Sequence, residues 1–156
     1  MKRRVAASAV MSMLAGCGAS APCADRAGAV AVTIDAKAGR RLVCAELADT
    51  ADEQASGLMF RTDLPTDGGM LFAPYPPGGG PPQEAAFWMK NTPRPLDIVF
   101  IRADRTVARI AADTVPFSEA PVPSGEPVAA VLELPGGRAA ALGVAQGDRV
   151  DWPETK

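Results

Sequence analysis

The chain has 156 residues with 16 basic and 18 acidic side chains, a formal net charge of −2, and no histidine. This acidic balance disfavours nucleic acid as a partner, because nucleic-acid binding depends on a basic surface that neutralises phosphates. The absence of histidine excludes Ser-His and Cys-His hydrolases and histidine-ligated zinc sites. Phosphate loops and dinucleotide fingerprints are also missing, so no cofactor is predicted.

The N-terminal segment predicts export as a lipoprotein. Residues 2–4 are basic, and residues 5–15 form a mostly apolar stretch that is too short to span a bilayer. The following Leu14-Ala15-Gly16-Cys17 resembles the lipobox of bacterial lipoproteins, in which the cysteine receives a diacylglycerol and becomes the new N-terminus. We therefore expect a signal peptide over residues 1–16 and lipidation of Cys17. Ordinary secretion, with Cys17 left as a thiol, is the alternative.

Lipidation would anchor the protein in the cell envelope, with the membrane as its partner. Because Gly18 rather than an aspartate follows the cysteine, we expect the periplasmic face of the outer membrane if the host is Gram-negative. Removal of residues 1–16 leaves 140 residues, which is sufficient for one compact domain. Three of the removed residues are basic, so the formal net charge changes from −2 to −5.

Residues 17–28 are small and polar and predict a flexible tether between lipid and domain. Two cysteines remain after lipidation, Cys23 and Cys44, and an oxidising envelope allows them to pair. A disulfide would close a loop of about 20 residues and stabilise the fold by roughly 3 kcal/mol. The alternative is a buried Cys44 with an exposed Cys23. A thiol oxidoreductase is disfavoured because there is no CxxC motif.

A single domain is predicted over residues 29–156, and it begins with a β-hairpin. Val30, Val32 and Ile34 alternate with less apolar positions and predict one strand. A glycine-containing turn separates this strand from a returning strand over residues 42–47.

The clearest helix follows the hairpin. Thr50 and Glu53 have the spacing of a capping box, in which the two side chains bond to each other's backbone N–H groups. This pattern predicts a short helix over residues 51–56 that ends at Gly57.

The rest of the chain predicts short strands separated by two proline-rich loops, over residues 74–82 and 116–127. A single helical turn is expected near residues 138–142. Further strands are predicted over residues 70–73, 85–89, 96–101, 106–111, 128–134 and 149–152. Many short strands with scattered glycine and proline predict an all-β fold, a sandwich or barrel with one or two short helices.

Four groups of motifs resemble a known family. They are Asp52-Glu53-Gln54 with Gly57-Leu58-Met59-Phe60-Arg61; Gly69-Met70-Leu71-Phe72; Phe87-Trp88-Met89-Lys90-Asn91-Thr92 with Pro95-Leu96-Asp97; and Val131-Leu132-Glu133-Leu134 with Gly147-Asp148-Arg149-Val150. In order and spacing, over roughly residues 30–152, they look like the bacterial and archaeal domain of unknown function 192. The resemblance implies a β-sandwich of jelly-roll type. It implies no reaction, because the family has none assigned.

The richest polar constellation lies between two predicted strands and consists of Trp88, Lys90, Asn91, Thr92, Arg94 and Asp97. Asp97 interrupts an apolar strand, so its carboxylate needs a partner, and Lys90 or Arg61 would serve. One interpretation is a structural ion pair with a turn held by Asn91 and Thr92. The other is a ligand-binding pocket formed by Trp88, Lys90, Asn91, Thr92, Asp97 and Arg61.

In such a pocket Trp88 would stack on a neutral or anionic small ligand while the polar side chains hydrogen-bond to it. A sugar of the cell envelope is one candidate, because sugars present an apolar face to tryptophan and hydroxyl groups to amides and carboxylates. We therefore expect a monomeric accessory binding module for an unknown small ligand rather than an enzyme.

Two alternative functions remain. Met59, Met70 and Met89 all lie in family-like motifs, and thioethers are soft ligands that suit Cu(I); core packing is their ordinary role. A carboxylate-dependent hydrolase would use Glu53 or Asp97 as acid or base, although Glu53 already has a role in the capping box. The sequence gives Glu133 only a structural role at a strand end, and Trp152 a role in closing the core.

Overall fold

The computed structural model describes residues 22–154, and within them nine strands and two short helices. The predicted all-β sandwich with two short helices is confirmed. In chain order the elements are β1 (Ala29–Ala36), β2 (Gly39–Ala48), α1 (Ala51–Ser56), β3 (Gly68–Phe72), β4 (Gln83–Phe87), β5 (Leu96–Ile101), β6 (Val107–Ala111), β7 (Val122–Val128), β8 (Ala130–Pro135), α2 (Arg138–Leu142) and β9 (Arg149–Asp151).

Seven strands form one sheet in the order β6-β5-β8-β3-β2-β1-β9. All pairs are antiparallel except β2–β3, which is parallel. The two edges of the sheet meet, because Thr106 forms a bridge to Arg149 and the N–H of Val107 donates to Asp148 O at 2.8 Å. These contacts curl the sheet into a barrel-like form of the sandwich.

A two-stranded ribbon of β4 and β7 covers part of the outer face of this sheet. The prediction of a loop over residues 116–127 is wrong in its second half, where β7 runs. Pro123 and Pro127 suggest a loop because proline cannot donate to a ladder, yet a ribbon edge tolerates proline. The register shifts between Glu84 and Ala86, and Ser124 Oγ accepts the Ala85 N–H at 2.9 Å.

The chain crosses from ribbon to barrel at Ala129, so the predicted strand over residues 128–134 is divided between β7 and β8. The Ala129 N–H donates to Ile101 O at 2.9 Å, and its own carbonyl accepts from the Tyr75 N–H at 2.8 Å. This crossover lets β8 lie between β5 and β3 in the centre of the large sheet.

Two apolar cores lie on opposite faces of the curved sheet. One fills the barrel and includes Ala130, Leu132 and Leu134 of β8. The other lies between the sheet and the ribbon and includes Val131 of the same strand. Because side chains alternate along a strand, Glu133 faces the second core with Val131.

Helix α1 confirms the predicted bounds and the capping box. Thr50 Oγ1 accepts the Glu53 N–H at 3.3 Å, and Glu53 Oε2 accepts the Thr50 N–H at 3.1 Å. The helix ends at Gly57, whose N–H donates to Glu53 O at 2.8 Å and whose φ of 47° suits glycine.

Residues 22–28, in the second part of the predicted tether, are attached to the barrel. Cys23 and Cys44 form a disulfide with a Cα–Cα distance of 5.5 Å, and Arg26 forms a salt bridge with Asp67 at 2.7 Å. The predicted lipidation site, Cys17, lies outside the described residues. Between residues 22 and 154, no helix is long and apolar enough to cross a membrane.

Candidate functional site

An open cavity of about 240 Å³ lies between α1 with the segment that follows it and the C-terminal end of β4. The barrel sheet provides its base through β3 and β8. The lining residues are Gln54, Ala55, Ser56, Gly57, Leu58, Met59, Phe72, Tyr75, Ala86, Phe87, Trp88, Lys90, Thr92 and Glu133.

Glu133 is the only carboxylic acid among the lining residues, and its side chain is almost wholly buried, at 4 % exposure. Within residues 22–154 its carboxyl group has no hydrogen bond and no salt bridge. Burial alone raises the pKa of Glu133 from its ordinary value of 4.5 to about 8. The unliganded protein therefore holds Glu133 mainly in its neutral form at pH 7.

Gln54 contributes a second polar group without a partner. Its Nε2 donates to Ala48 O and to Pro74 O, each at 2.9 Å, and these two bonds fix the orientation of the amide. Its Oε1 is buried and accepts no hydrogen bond from the described part of the chain. The residue lines the same cavity as Glu133.

Aromatic rings supply most of the apolar wall. Phe72 and Phe87 meet edge to face with ring centroids 5.0 Å apart, and Tyr75 lies 5.9 Å from Phe87. Burial raises the pKa of Tyr75. Trp88 is 46 % exposed at the rim, and Lys90 Nζ lies 5.0 Å from the centre of its ring.

A tight turn after β4 places Trp88 and Lys90 at the rim. The strand ends at Phe87, two residues before the predicted end, because the chain turns and the Thr92 N–H donates to Met89 O at 3.1 Å. Met89 anchors the turn: it is 1 % exposed, and its Sδ accepts from Thr114 Oγ1 at 3.0 Å.

Three residues beside this turn have left-handed backbone conformations that non-glycine residues rarely adopt: Phe60 with φ 63°, Asn91 with φ 53° and Phe117 with φ 59°. The Phe60 N–H donates to Asn91 O at 2.7 Å, and the Phe117 N–H donates to Thr92 O at 3.1 Å. Backbone strain of this kind persists only where the surrounding structure enforces it, and it concentrates at functional sites.

The structure brings together part of the predicted constellation. Trp88, Lys90 and Thr92 line the cavity, together with Met59. Asn91 lies beside it, and its Nδ2 donates to Met59 Sδ at 3.9 Å.

Asp97 lies apart from this group. It is fully buried on the face of β5 that points into the barrel, and its oxygens accept the backbone N–H groups of Asp113, Gly137 and Ala139 at 2.7–3.0 Å. The prediction that Lys90 or Arg61 pairs with Asp97 is wrong. Backbone N–H groups at the start of α2 and in the segment after β6 donate to the carboxylate instead. This is a structural role.

Arg61 also lies apart from the cavity. Its guanidinium forms a bidentate salt bridge with Glu46 at 2.9 Å and a second one with Asp63 at 2.7 Å. Arg94 is exposed and donates to Thr62 O. Neither residue lines the cavity.

The three methionines have different surroundings. Met59 lines the cavity, Met89 is buried with its sulfur hydrogen-bonded to Thr114, and Met70 lies at the base of a separate depression beside α1. Residues 22–154 contain no group of three or more cysteine, aspartate or glutamate side chains placed to hold a metal ion.

Glu133 and Gln54 are the site residues that the sequence interpretation missed. The signal for Glu133 was present, because a carboxylate interrupts the apolar run from Val131 to Leu134 just as Asp97 interrupts its own strand. The sequence does not show that backbone N–H groups donate to Asp97, nor that Glu133 has no partner among the described residues.

Comparisons with known proteins identify relatives of this chain. A solved structure of a protein of unknown function from Novosphingobium aromaticivorans shares 43 % identity, with 86 % of this chain and all of that chain covered and a TM-score of 0.75. A Sinorhizobium meliloti structure, described as "a putative transcription regulator", shares 39 % identity, with 80 % of this chain and 93 % of that one covered and a TM-score of 0.73.

A comparison with the curated proteins gave no match. The model of the domain of unknown function 192, described as "Uncharacterized ACR", matches residues 31–152, which is most of the chain and includes every strand from β2 to β9. The chain therefore belongs to the DUF192 family.

Proposed function

We propose that the protein is an accessory binding module of the cell envelope that holds a small organic ligand in the cavity above Glu133. The observation that carries this proposal is a buried carboxyl group without a partner at the base of an open, aromatic-lined cavity. A buried polar group without a hydrogen bond costs stability. A protein gains from keeping such a group where a ligand supplies the missing bond.

The ligand must be able to hydrogen-bond to the carboxyl group of Glu133. In its neutral form this group donates one hydrogen bond through its O–H and accepts others, and it has no partner within residues 22–154. A sugar is one class that meets this requirement, since its hydroxyl groups donate and its apolar face stacks on Trp88.

The cavity has a volume of about 240 Å³, so small molecules can serve as probes of the proposal. We expect at least one of D-glucose, N-acetyl-D-glucosamine, benzyl alcohol and benzylamine to shift the amide NMR signals of residues around the cavity. Trp88→Ala should weaken this binding at least tenfold without loss of the folded spectrum. Leu42→Ala is the matched control, because Leu42 is an apolar residue as exposed as Trp88 that does not line the cavity.

Two results would refute the proposal. One is that all four probes leave the cavity signals unchanged. The other is that binding occurs but stays unaffected by Trp88→Ala and by Glu133→Leu, which would place the ligand elsewhere. If Trp88→Ala alone loses the folded spectrum, Glu133→Leu tests the cavity in its place. This variant replaces a buried carboxyl group with an apolar side chain of similar size.

Lipid anchoring belongs to the same proposal and is supported by the lipobox-like sequence that ends at Cys17. We expect the full chain, expressed in a Gram-negative host, to incorporate labelled fatty acid and to fractionate with the outer membrane. Cys17→Ser should abolish labelling. Labelling that persists in this variant, or a wild-type chain that is never labelled, would contradict the anchor and leave the cavity proposal intact.

The structure favours neither alternative function. The sulfur atoms of Met59 and Met89 already accept hydrogen bonds from Asn91 and Thr114. The two carboxylates considered for hydrolysis, Glu53 and Asp97, are occupied in the capping box and by backbone N–H groups.

A further inference from the structure

We propose that the group of the ligand that reaches Glu133 is an organic ammonium, so that the cavity is a site for a small primary amine. This inference rests on the proposed function and names the class of its ligand. It follows from the kinds of polar group that the inner wall offers and from those that it lacks.

Glu133 is the one carboxylic acid of the cavity lining, and once ionised it offers only acceptors. Gln54 also lines the cavity but offers no donor to a ligand, because both of its N–H groups are used by Ala48 O and Pro74 O. The hydroxyl of Thr92 is not free to donate inward, because it donates to Lys90 O at 3.1 Å. An ammonium group carries three donors and no acceptor, which matches this wall.

A sugar would pair with a different form of Glu133. Each sugar hydroxyl group is both a donor and an acceptor, as is the neutral carboxyl group, so a sugar would bind without releasing a proton. An ammonium pairs with the ionised form, and the two ligand classes therefore differ in the pH dependence of binding.

The aromatic wall also suits a cation. Rings of Phe72, Tyr75, Phe87 and Trp88 line the cavity, and a cation over an aromatic face is attracted to its negative centre. Trp88 already holds such a contact, with Lys90 Nζ 5.0 Å from the ring centre. The ammonium of Lys90 stays at the rim in this contact and forms no salt bridge with Glu133.

None of the charged groups around Glu133 in the described part of the chain pairs with it, so its carboxylate can accept one cation. On the neighbouring strands, β3 has no titratable residue, and Asp97 of β5 faces the opposite side of the sheet. Glu84 of β4 is exposed, and Glu126 of β7 forms a salt bridge with Arg102. Within the cavity the other titratable groups are Tyr75 and Lys90.

Binding of an ammonium must release a proton from the protein. Burial raises the pKa of Glu133 to about 8, so at neutral pH the empty site holds a neutral carboxyl group. The ammonium pairs with the ionised form, because opposite charges at contact favour ionisation. Affinity therefore rises with pH until Glu133 is ionised in the empty site.

The test is isothermal titration calorimetry of the full chain with benzylamine and with benzyl alcohol, its neutral analogue of the same shape. Benzylamine stays protonated between pH 6 and pH 8. We expect it to bind at least tenfold more tightly than benzyl alcohol at pH 8. Its affinity should increase about tenfold between pH 6 and pH 7, and titrations in two buffers of different ionisation enthalpy should show release of nearly one proton at pH 6.5.

Glu133→Gln should abolish the pH dependence and the proton release and bring the two affinities together. Glu84→Gln is the matched control, because it removes an exposed carboxylate from the adjacent β4 and should change neither result.

The two proposals fail in different ways. Benzyl alcohol or a sugar that binds as tightly as benzylamine would overturn the ammonium inference while leaving the cavity as a ligand site. Benzylamine binding without proton release, or with an unchanged pH profile in Glu133→Gln, would overturn it too. The absence of binding by every probe would refute both proposals.

Discussion

Glu133 and Asp97 are both buried carboxylic acids in apolar strands, and their surroundings give them opposite roles. Asp97 accepts three backbone N–H groups and ties α2 and the segment after β6 to the barrel. Glu133 has no such donors and faces a cavity. Both positions can be recognised from the sequence as interruptions of apolar runs. The difference between them depends on loops that fold back onto β5 and not onto β8.

The buried carboxyl of Glu133 should make folding stability depend on pH. Its pKa of about 8 in the folded state lies above the ordinary value of 4.5, so the folded chain holds a proton that the unfolded chain releases. The stability that this proton provides is fully present below pH 4.5 and is lost as the pH rises through 8. The loss is on the order of several kcal/mol, at about 1.4 kcal/mol per pH unit.

Glu133→Gln removes this dependence while keeping the shape of the side chain. We expect urea unfolding at pH 5, 6.5 and 8 to show that the free energy of unfolding of the variant, relative to that of the wild type, increases by several kcal/mol from the lowest to the highest pH. Glu84→Gln should follow the wild type. Parallel pH profiles for Glu133→Gln and the wild type would mean that Glu133 is ionised in the folded protein.

Asp97→Asn should destabilise the fold without affecting the cavity. The amide has one oxygen in place of two, and its NH₂ group would face a backbone donor, so we expect a loss of roughly 2–4 kcal/mol in the free energy of unfolding. Urea unfolding measures the loss, and the NMR titration with benzylamine measures binding. Weakened binding in a folded Asp97→Asn protein would contradict the structural role.

The elements differ in how well local sequence determines them. Helix α1 was predicted with its bounds, because the capping box and Gly57 define its ends locally. Strand β7 was missed, because its prolines indicate a loop and its pairing with β4 depends on a segment about 40 residues earlier in the chain. Ser124 replaces part of the missing ladder by accepting the Ala85 N–H and donating to Glu126 O at 2.7 Å.

Ser124→Ala should therefore loosen the ribbon. The substitution leaves a buried backbone N–H and a carbonyl without partners, which costs about 1–3 kcal/mol. Hydrogen exchange of the Ala85 amide should accelerate at least tenfold. Ser118→Ala is the control, because the Ser118 hydroxyl is in an exposed hydrogen bond with the Ala120 N–H. Unchanged exchange at Ala85 would show that the backbone ladder alone holds the ribbon.

At the scale of the whole molecule, the all-β class follows from the many short apolar runs, whereas the closure of the barrel and the cavity do not. Closure depends on contacts between Thr106 and Arg149, which are far apart in the sequence. The cavity collects residues from α1, β3, β4 and β8, so no local motif contains it. The Trp88 to Thr92 segment was predicted as part of a site because its polar and aromatic residues are contiguous, and of these residues Trp88, Lys90 and Thr92 line the cavity.

The disulfide links the N-terminal segment to β2, and its contribution is a property of the whole chain. It joins residues 21 apart, so in the unfolded state it closes a loop that restricts the chain and stabilises the fold by about 3 kcal/mol. Reduction of the wild type should lower the free energy of unfolding by this amount, as should Cys23→Ser combined with Cys44→Ser. Reductant should have no further effect on the double variant. If reduction leaves the wild type unchanged, the salt bridge between Arg26 and Asp67 and the packing of Cys23 suffice to hold this segment against the barrel.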